Sequence, residues 1–209
     1  MIGVTLPGPL TVLCIGAHPD DIEIGCGATL LELAARGDTS FTHVLLTGSP
    51  QRVDEARTAT ELFVPGADLV TFDLPDGRLP AHWGAAKEAL ESVAQGLSPD
   101  LILAPRLKDA HQDHRVVAEL VSTTWRDCLT LHYEIPKWDG DLGQLTHYVT
   151  VPEETARRKV ELLHKAYPSQ QHRDWWDDEM FLGMMRVRGM ECRSRYAEAF
   201  EVAKELLTL

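Results

Sequence analysis

Residues 10–21 read LTVLCIGAHPDD, and the change of character inside this stretch decides the fold. Leu10 to Ile15 is a short apolar run rich in strand formers and closed by Gly16, the composition of a strand buried on both faces. The loop after it carries Ala17-His18-Pro19-Asp20-Asp21. From Cys26 to Arg36 (CGATLLELAAR) apolar positions recur at helical spacing, and Gly37 supplies an end signal. The unit is strand, polar loop, helix.

Moving outward, the same alternation recurs. A strand over 41–47 (FTHVLLT) precedes a helix near Asp54 to Phe63, and a strand over 68–74 (DLVTFDL) precedes a helix from Trp83 to Gly96. A strand over 100–105 (DLILAP) is followed by His111-Gln112-Asp113-His114 and a helix from Arg115 to Arg126. Strands alternating with helices predict an α/β chain of Rossmann-like type, its mainly parallel sheet covered by helices on both faces. Beyond residue 130 we expect strands at LHYEI and LTHYVTV, a loop at KWDGDLGQ, a helix from Glu153 to Ala166 and a terminal helix from Tyr196. Trp175 and Trp176 with Met180, Met184 and Met185 read as packing residues, with a lid as the alternative. Gly25-Cys26-Gly27 lacks both the dinucleotide glycine pattern and a phosphate-loop lysine, so it reads as a turn before a helix.

The 209 residues fit one domain over 1–209, with a sheet core at about 8–130 and a substrate-shaping half at about 131–209. Hydrophobic residues at 44% and charged residues at 25% are those of an ordinary globular protein. A net charge of −12 argues against nucleic acid or an anionic membrane as partner, since polyanions call for stripes of Lys and Arg. The four cysteines, Cys14, Cys26, Cys128 and Cys192, form no C-x-x-C pair, which suits a reducing compartment. MIGVTLPGPL at the start has no basic region before a long apolar run, so a cytoplasmic location is expected.

Parallel sheets bind ligands beyond the carboxyl ends of their strands, and both polar clusters occupy such ends. If the strand ending at Ile15 lies beside the one ending at Pro105, the two loops converge. Hydrolytic zinc usually takes three nitrogen or oxygen ligands and leaves one position for water, whose pKa falls toward about 7. His18, Asp21 and His114 supply such a set, with Asp20 beside it as general base. His111 is then the group for the developing oxyanion and the leaving amine, and Asp113 its orienting carboxylate. Taken singly, an Asp pair after Pro is an ordinary turn or cap. Six polar residues at two strand ends exceed what capping requires, which is one side chain per helix. The chemistry expected is amide hydrolysis.

AHPDDIEIGCGATL followed by KDAHQDHR resembles the LmbE-like or PIG-L family of metal-dependent N-deacetylases. The likeness continues through Arg52-x-x-Glu55, Asp76-Gly77, Ser169-Gln170 and YAEAF at 196–200. It implies His18, Asp21 and His114 as metal ligands, Asp20 as base, His111 with Asp113 as the acid or oxyanion element, and Arg52 and Asp76 as substrate contacts. It further implies Zn2+, with Fe2+ or another divalent ion as the alternative, and loss of an N-acetyl group from an N-acetylglucosamine-type sugar or its conjugate. A small-molecule partner and a homo-oligomer follow from the same resemblance. Ile22 stands where one form of the motif has Glu, and Glu23 then reads as a brace or cap.

Three rivals are set beside this reading: hydrolysis of a non-sugar amide such as a natural-product intermediate, a non-haem Fe(II) oxygenase, and a metal-stabilised binding protein. Two histidines and a carboxylate also serve the oxygenases, but that triad is usually H-x-D/E on an antiparallel barrel, and here the spacing is H-x-x-D in a strand-helix pattern.

Overall fold

Why the first strand is almost wholly apolar becomes plain from its place at the centre of the sheet. The computed structural model describes residues 3–206. Its seven strands are β1 (Leu10–Gly16), β2 (Thr39–Thr47), β3 (Asp68–Leu74), β4 (Leu101–Pro105), β5 (Leu129–Tyr133), β6 (His147–Val151) and β7 (Tyr196–Glu201), in the order β3-β2-β1-β4-β5-β7-β6. β1 to β5 pair in parallel, and β7 runs antiparallel to both β5 and β6. Val12 and Cys14 of β1 face one core, while Leu13 and Ile15 face the other. β4 divides likewise, Leu101 and Leu103 against Ile102 and Ala104. Such two-sided burial is what a central parallel strand requires.

The helices are α1 (Asp21–Ala35), α2 (Pro50–Phe63), α3 (Trp83–Ala94), α4 (Gln112–Thr124), α5 (Glu153–Ala166) and α6 (Asp178–Glu191). Residues of α1, α2, α5 and α6 close one core, and those of α3 and α4 close the other. The result is a single α/β domain with helices on both faces of its sheet. No helix among the described residues is long and apolar enough to cross a membrane.

Two expectations need correction, and one helix was not anticipated. The segment from Tyr196 is the strand β7, not a helix. Ala and Glu favour helices locally, but Tyr196 to Phe200 are all buried between two neighbouring strands, and Glu198 meets the Lys159 ammonium at 2.6 Å. Tertiary pairing overrides weak propensity. Residues 178–191 form a helix that apolar periodicity does not announce, capped by Asp177, whose Oδ1 accepts from the Met180 N–H at 2.7 Å. Finally, Gly25-Cys26-Gly27 is no turn before a helix. It lies within α1 at a kink centred on Cys26 (φ −144°, ψ 22°), where the Tyr133 ring presses on Gly25 so closely that a Cβ would overlap it. The helix therefore begins a turn earlier than its apolar periodicity, directly on the AHPDD loop. α2 and α4 also start early, Ser49 and His111 being their caps.

Candidate active site

β1 and β4 are neighbours, Val12 pairing with Leu101 and Cys14 with Leu103, so their carboxyl ends open on one crevice. The chain leaves β1 toward β2 and β3, then returns to β4 on the other side of β1. That reversal is the point at which parallel sheets bind ligands. His18, Asp20, Asp21, Arg52, Asp76, His111 and His114 all line a cleft of about 440 Å3 there, within the ~300–1,000 Å3 usual for small-molecule sites.

Asp20 holds the first loop in an uncommon shape. Its φ of 102° is left-handed territory, where a non-glycine residue stays only if its surroundings hold it. They do so through Asp21 and through its own carbonyl. Asp21 turns Oδ2 back onto the N–H groups of Ala17 and His18, both at 2.9 Å, and the Asp20 carbonyl accepts the Ile24 N–H at 2.9 Å.

The geometry suits a cation. His18 Nδ1 lies 3.2 Å from His114 Nε2, His114 Nε2 lies 3.2 Å from Asp21 Oδ1, and His18 Nδ1 lies 3.5 Å from Asp21 Oδ2. Asp21 thus presents Oδ1 to His114 and Oδ2 to His18, and these separations are close to the roughly 3.4 Å between donors that stand about 2.0–2.1 Å from one tetrahedral ion. His111 flanks it, with its ring centroid 4.8 Å from that of His18 and 4.7 Å from that of His114. Burial alone would push the His114 pKa down, yet Asp21 and Asp109 raise it to about 9. Burial opposes ionisation of Asp21, but His114 and His18 hold its pKa well below the usual range. These groups together favour positive charge at their centre, the property expected of a divalent-ion site.

Each imidazole has a carboxylate behind it. His114 Nδ1 lies 3.1 Å from Asp109 Oδ2, although its N–H points somewhat off the line of a full hydrogen bond. Asp109 in turn meets Lys137 Nζ at 2.9 Å and accepts the His111 N–H at 2.8 Å. On the other side, His18 Nε2 lies 3.1 Å from the exposed Asp76 and 3.3 Å from the buried Asp113. The partner expected for Asp113 was the His111 ring. Instead its carboxylate accepts the N–H groups of Gly77 at 2.7 Å and Leu79 at 3.0 Å, and only its backbone N–H reaches His111, donating to Nδ1 at 3.3 Å. Asp113 thus anchors the loop after β3 and faces His18, because helix α4 turns its side chain inward beneath that loop.

Arg52 is also more committed than a free substrate contact would be. One guanidinium nitrogen donates to the Pro19 carbonyl and to Asp20 Oδ2 at 2.5 Å, while the other donates to Glu55 at 2.6 Å and Ser169 at 3.3 Å. Its cationic group stands 5.1 Å from the Tyr167 ring centroid. Burial is the larger influence on Asp20 and, against the opposing Arg52 charge, raises its pKa to about 6. Sequence reasoning missed Asp109 and Lys137. Asp109 stood inside KDAHQDHR, two residues before His111, and that spacing was the available signal.

A family model described as PIG-L, GlcNAc-PI de-N-acetylase, matches residues 13–125. The chain belongs to the PIG-L family, a family of deacetylases. A relative from Escherichia coli K12, the uncharacterized deacetylase YaiS, is 30% identical and aligns over 74% of this chain and 89% of its own. Two solved structures are similar in fold, each with a TM-score of 0.74. The conserved protein TT1542 from Thermus thermophilus is 24% identical, covering 96% of this chain and 97% of its own. The N,N'-diacetylchitobiose deacetylase from Pyrococcus horikoshii is 19% identical, covering 92% and 83%.

Proposed function

We propose that this PIG-L deacetylase is a metal-dependent hydrolase that removes the N-acetyl group of an N-acetylglucosamine-type amino sugar or its conjugate. The single observation that carries the reading is the partly buried Asp20 carboxylate, lining one cleft with a triangle of two imidazoles and a carboxylate. His18, Asp21 and His114 would hold the ion, with zinc the first choice and Fe2+ or another divalent ion the alternative. Once bound, such an ion supplies a Lewis acid and makes water a better nucleophile near neutral pH.

Asp20 takes a proton from the attacking water as the new C–O bond forms. Its Arg52 partner fixes one carboxylate oxygen, so the base is oriented before substrate arrives. His111 Nδ1 receives the Asp113 backbone N–H, which leaves Nε2 to carry the proton of the neutral ring. Burial lowers the His111 pKa and favours that neutral form. Its Nε2–H is a donor for the carbonyl oxygen as that atom becomes negative, worth about 10²-fold or more in rate where such donors have been removed. When the C–N bond breaks, the proton held by Asp20 passes to the leaving nitrogen, giving acetate and a free amine. Of the two tasks expected for His111 from sequence, this reading gives it the oxyanion.

Hydrolysis of a non-sugar amide remains the second reading, since the same groups would serve it. The parallel sheet gives no support to an oxygenase, whose triad usually sits on an antiparallel barrel. The test is acetate and amine release from N-acetylated amino sugars, free, nucleotide-linked and glycosylated, after reconstitution with zinc or Fe2+ and again after chelation. Turnover that survives complete removal of the metal, or turnover confined to non-sugar amides, would overturn the reading.

A further inference from the structure

Glu55 and Ser169 stand 114 residues apart and neither lines the cleft, yet both close on one side chain that does, Arg52. Glu55 follows Arg52 by three positions in α2, so the two share a helix face. Ser169 belongs to the short turn Pro168–Gln170, which follows α5 and brings the far half of the chain against α2.

The contacts between these groups are fully matched. The Ser169 N–H donates to Glu55 Oε1 at 2.8 Å, and its hydroxyl donates to Glu55 Oε2 at 2.7 Å. A serine hydroxyl has one proton to give and two lone pairs. Those lone pairs receive Arg52 Nη1 at 3.3 Å and Gln170 Nε2 at 2.9 Å. Glu55 Oε2 also accepts from Arg52 Nη1 at 2.6 Å. Burial opposes ionisation of Glu55, but hydrogen bonds from Ser169 and Arg52 lower its pKa and keep it an anion beside the guanidinium.

Arginine ends in a rigid plane carried on a long flexible stem. Fixing Nη1 therefore fixes Nη2, and Nη2 is the atom that holds the Pro19 carbonyl and Asp20. Nη1 serves Glu55 and Ser169, and Nη2 serves Pro19 and Asp20, which leaves Nε–H alone uncommitted among the described residues. Arg52 is thus occupied as a link, with little left to grip a substrate. We infer that Glu55 and Ser169 are positioning residues for the general base: together they set the plane of Arg52 and, through it, the direction of Asp20. The inference rests on the hydrolase reading above and deepens it, since the turn after α5 then takes part in chemistry at the end of β1. Their contribution is to orient the base before the substrate arrives, where a displacement on the order of 1 Å is enough to slow the reaction strongly.

Glu55→Gln tests this with almost no change of shape. Its amide oxygen still accepts the Ser169 N–H, while its amide nitrogen cannot accept from Arg52. For an N-acetylated amino sugar and metal-loaded protein, kcat should fall about tenfold, with KM and zinc affinity within about twofold of wild type. Arg52→Lys has no planar fork to transmit the constraint, so adding Glu55→Gln to it should cause no further loss of kcat. A raised KM at unchanged kcat would make Arg52 a substrate contact and overturns the inference. Losses that multiply in the double variant overturn it too, as does a fall in zinc affinity equal to the fall in kcat. A readout without substrate comes from the guanidinium Nη–H signals of Arg52 in 15N-labelled protein, identified by their absence in Arg52→Lys. They should be separate and slow to exchange in wild type and averaged in Glu55→Gln. If wild type hydrolyses no N-acetylated sugar, the deacetylase reading fails on its own. The Nη–H signals then decide the positioning role, and signals unchanged by Glu55→Gln overturn it.

Discussion

Nδ1 of His114 lies 3.1 Å from Oδ2 of Asp109, while Nε2 of the same ring faces Asp21 at 3.2 Å. A carboxylate behind an imidazole selects the tautomer whose other nitrogen is a free lone pair, and it makes that nitrogen a stronger donor. Asp109→Asn should therefore weaken zinc binding by about 10–100-fold, the usual effect of losing such a partner. Competition with a chromophoric chelator measures it, and an affinity within twofold of wild type would remove Asp109 from the metal's support.

Asp20→Asn separates binding from chemistry. The substitution keeps a side chain that still accepts from Arg52, but it removes the base. Metal content should stay near wild type, while kcat falls by about 10²-fold or more. Metal analysis and kcat measured on the same preparation are both needed. Equal loss of metal and activity would show that Asp20 supports the ion, and unchanged kcat would sink its role as base.

Much of this arrangement was legible in the chain, and the parts that were not share a cause. The strand of residues 10–16 could be read because every position but Thr11 is apolar or small, and α5 because its buried positions recur at helical spacing. β7 was opaque because Ala197, Glu198 and Ala199 look helical until Lys159, 39 residues away, is brought against Glu198. α6 was opaque because Arg188, paired with Glu134 at 2.6 Å, occupies a buried position where the pattern calls for an apolar residue. In the site, local spacing announced the residues of AHPDD and HQDH. The partners Arg52–Asp20, Asp113–Gly77 and Asp109–Lys137 exist only once separate loops meet, so no local pattern encodes them.

Gly25 gives a prediction about the fold itself. The Tyr133 ring occupies the space of its absent Cβ, and the Tyr133 hydroxyl donates to the Ile15 carbonyl at 2.8 Å, at the end of β1. The ring cannot retreat without breaking that bond. Gly25→Ala should cost about 1–3 kcal/mol from overpacking, despite the better helix propensity of Ala. Urea unfolding of the two proteins measures this, and an increase in stability would mean that Tyr133 has room to move.

His43 should make stability depend on pH. The ring is buried in β2, its Nδ1 lies 3.3 Å from Thr60 Oγ1, and its Nε2 has no protein partner among the described residues. Burial lowers its pKa from 6.5 to about 4, so the folded chain keeps it neutral while the unfolded chain protonates it near 6.5. The unfolded state thus binds the proton first as pH falls. Stability is fully present above about pH 6.5, is lost as pH drops toward 4, and levels off below that. Glu23 Oε1, 3.9 Å away, is held up to about 7 by burial and contributes with the opposite sign. Comparison with His43→Gln, which retains Glu23 and does not titrate there, isolates the histidine. From pH 7.5 to pH 5 the wild type should lose about 2 kcal/mol relative to the variant, read from urea midpoints at each pH. A difference that stays constant with pH, or grows in favour of wild type, would mean that the folded protein accommodates the protonated ring.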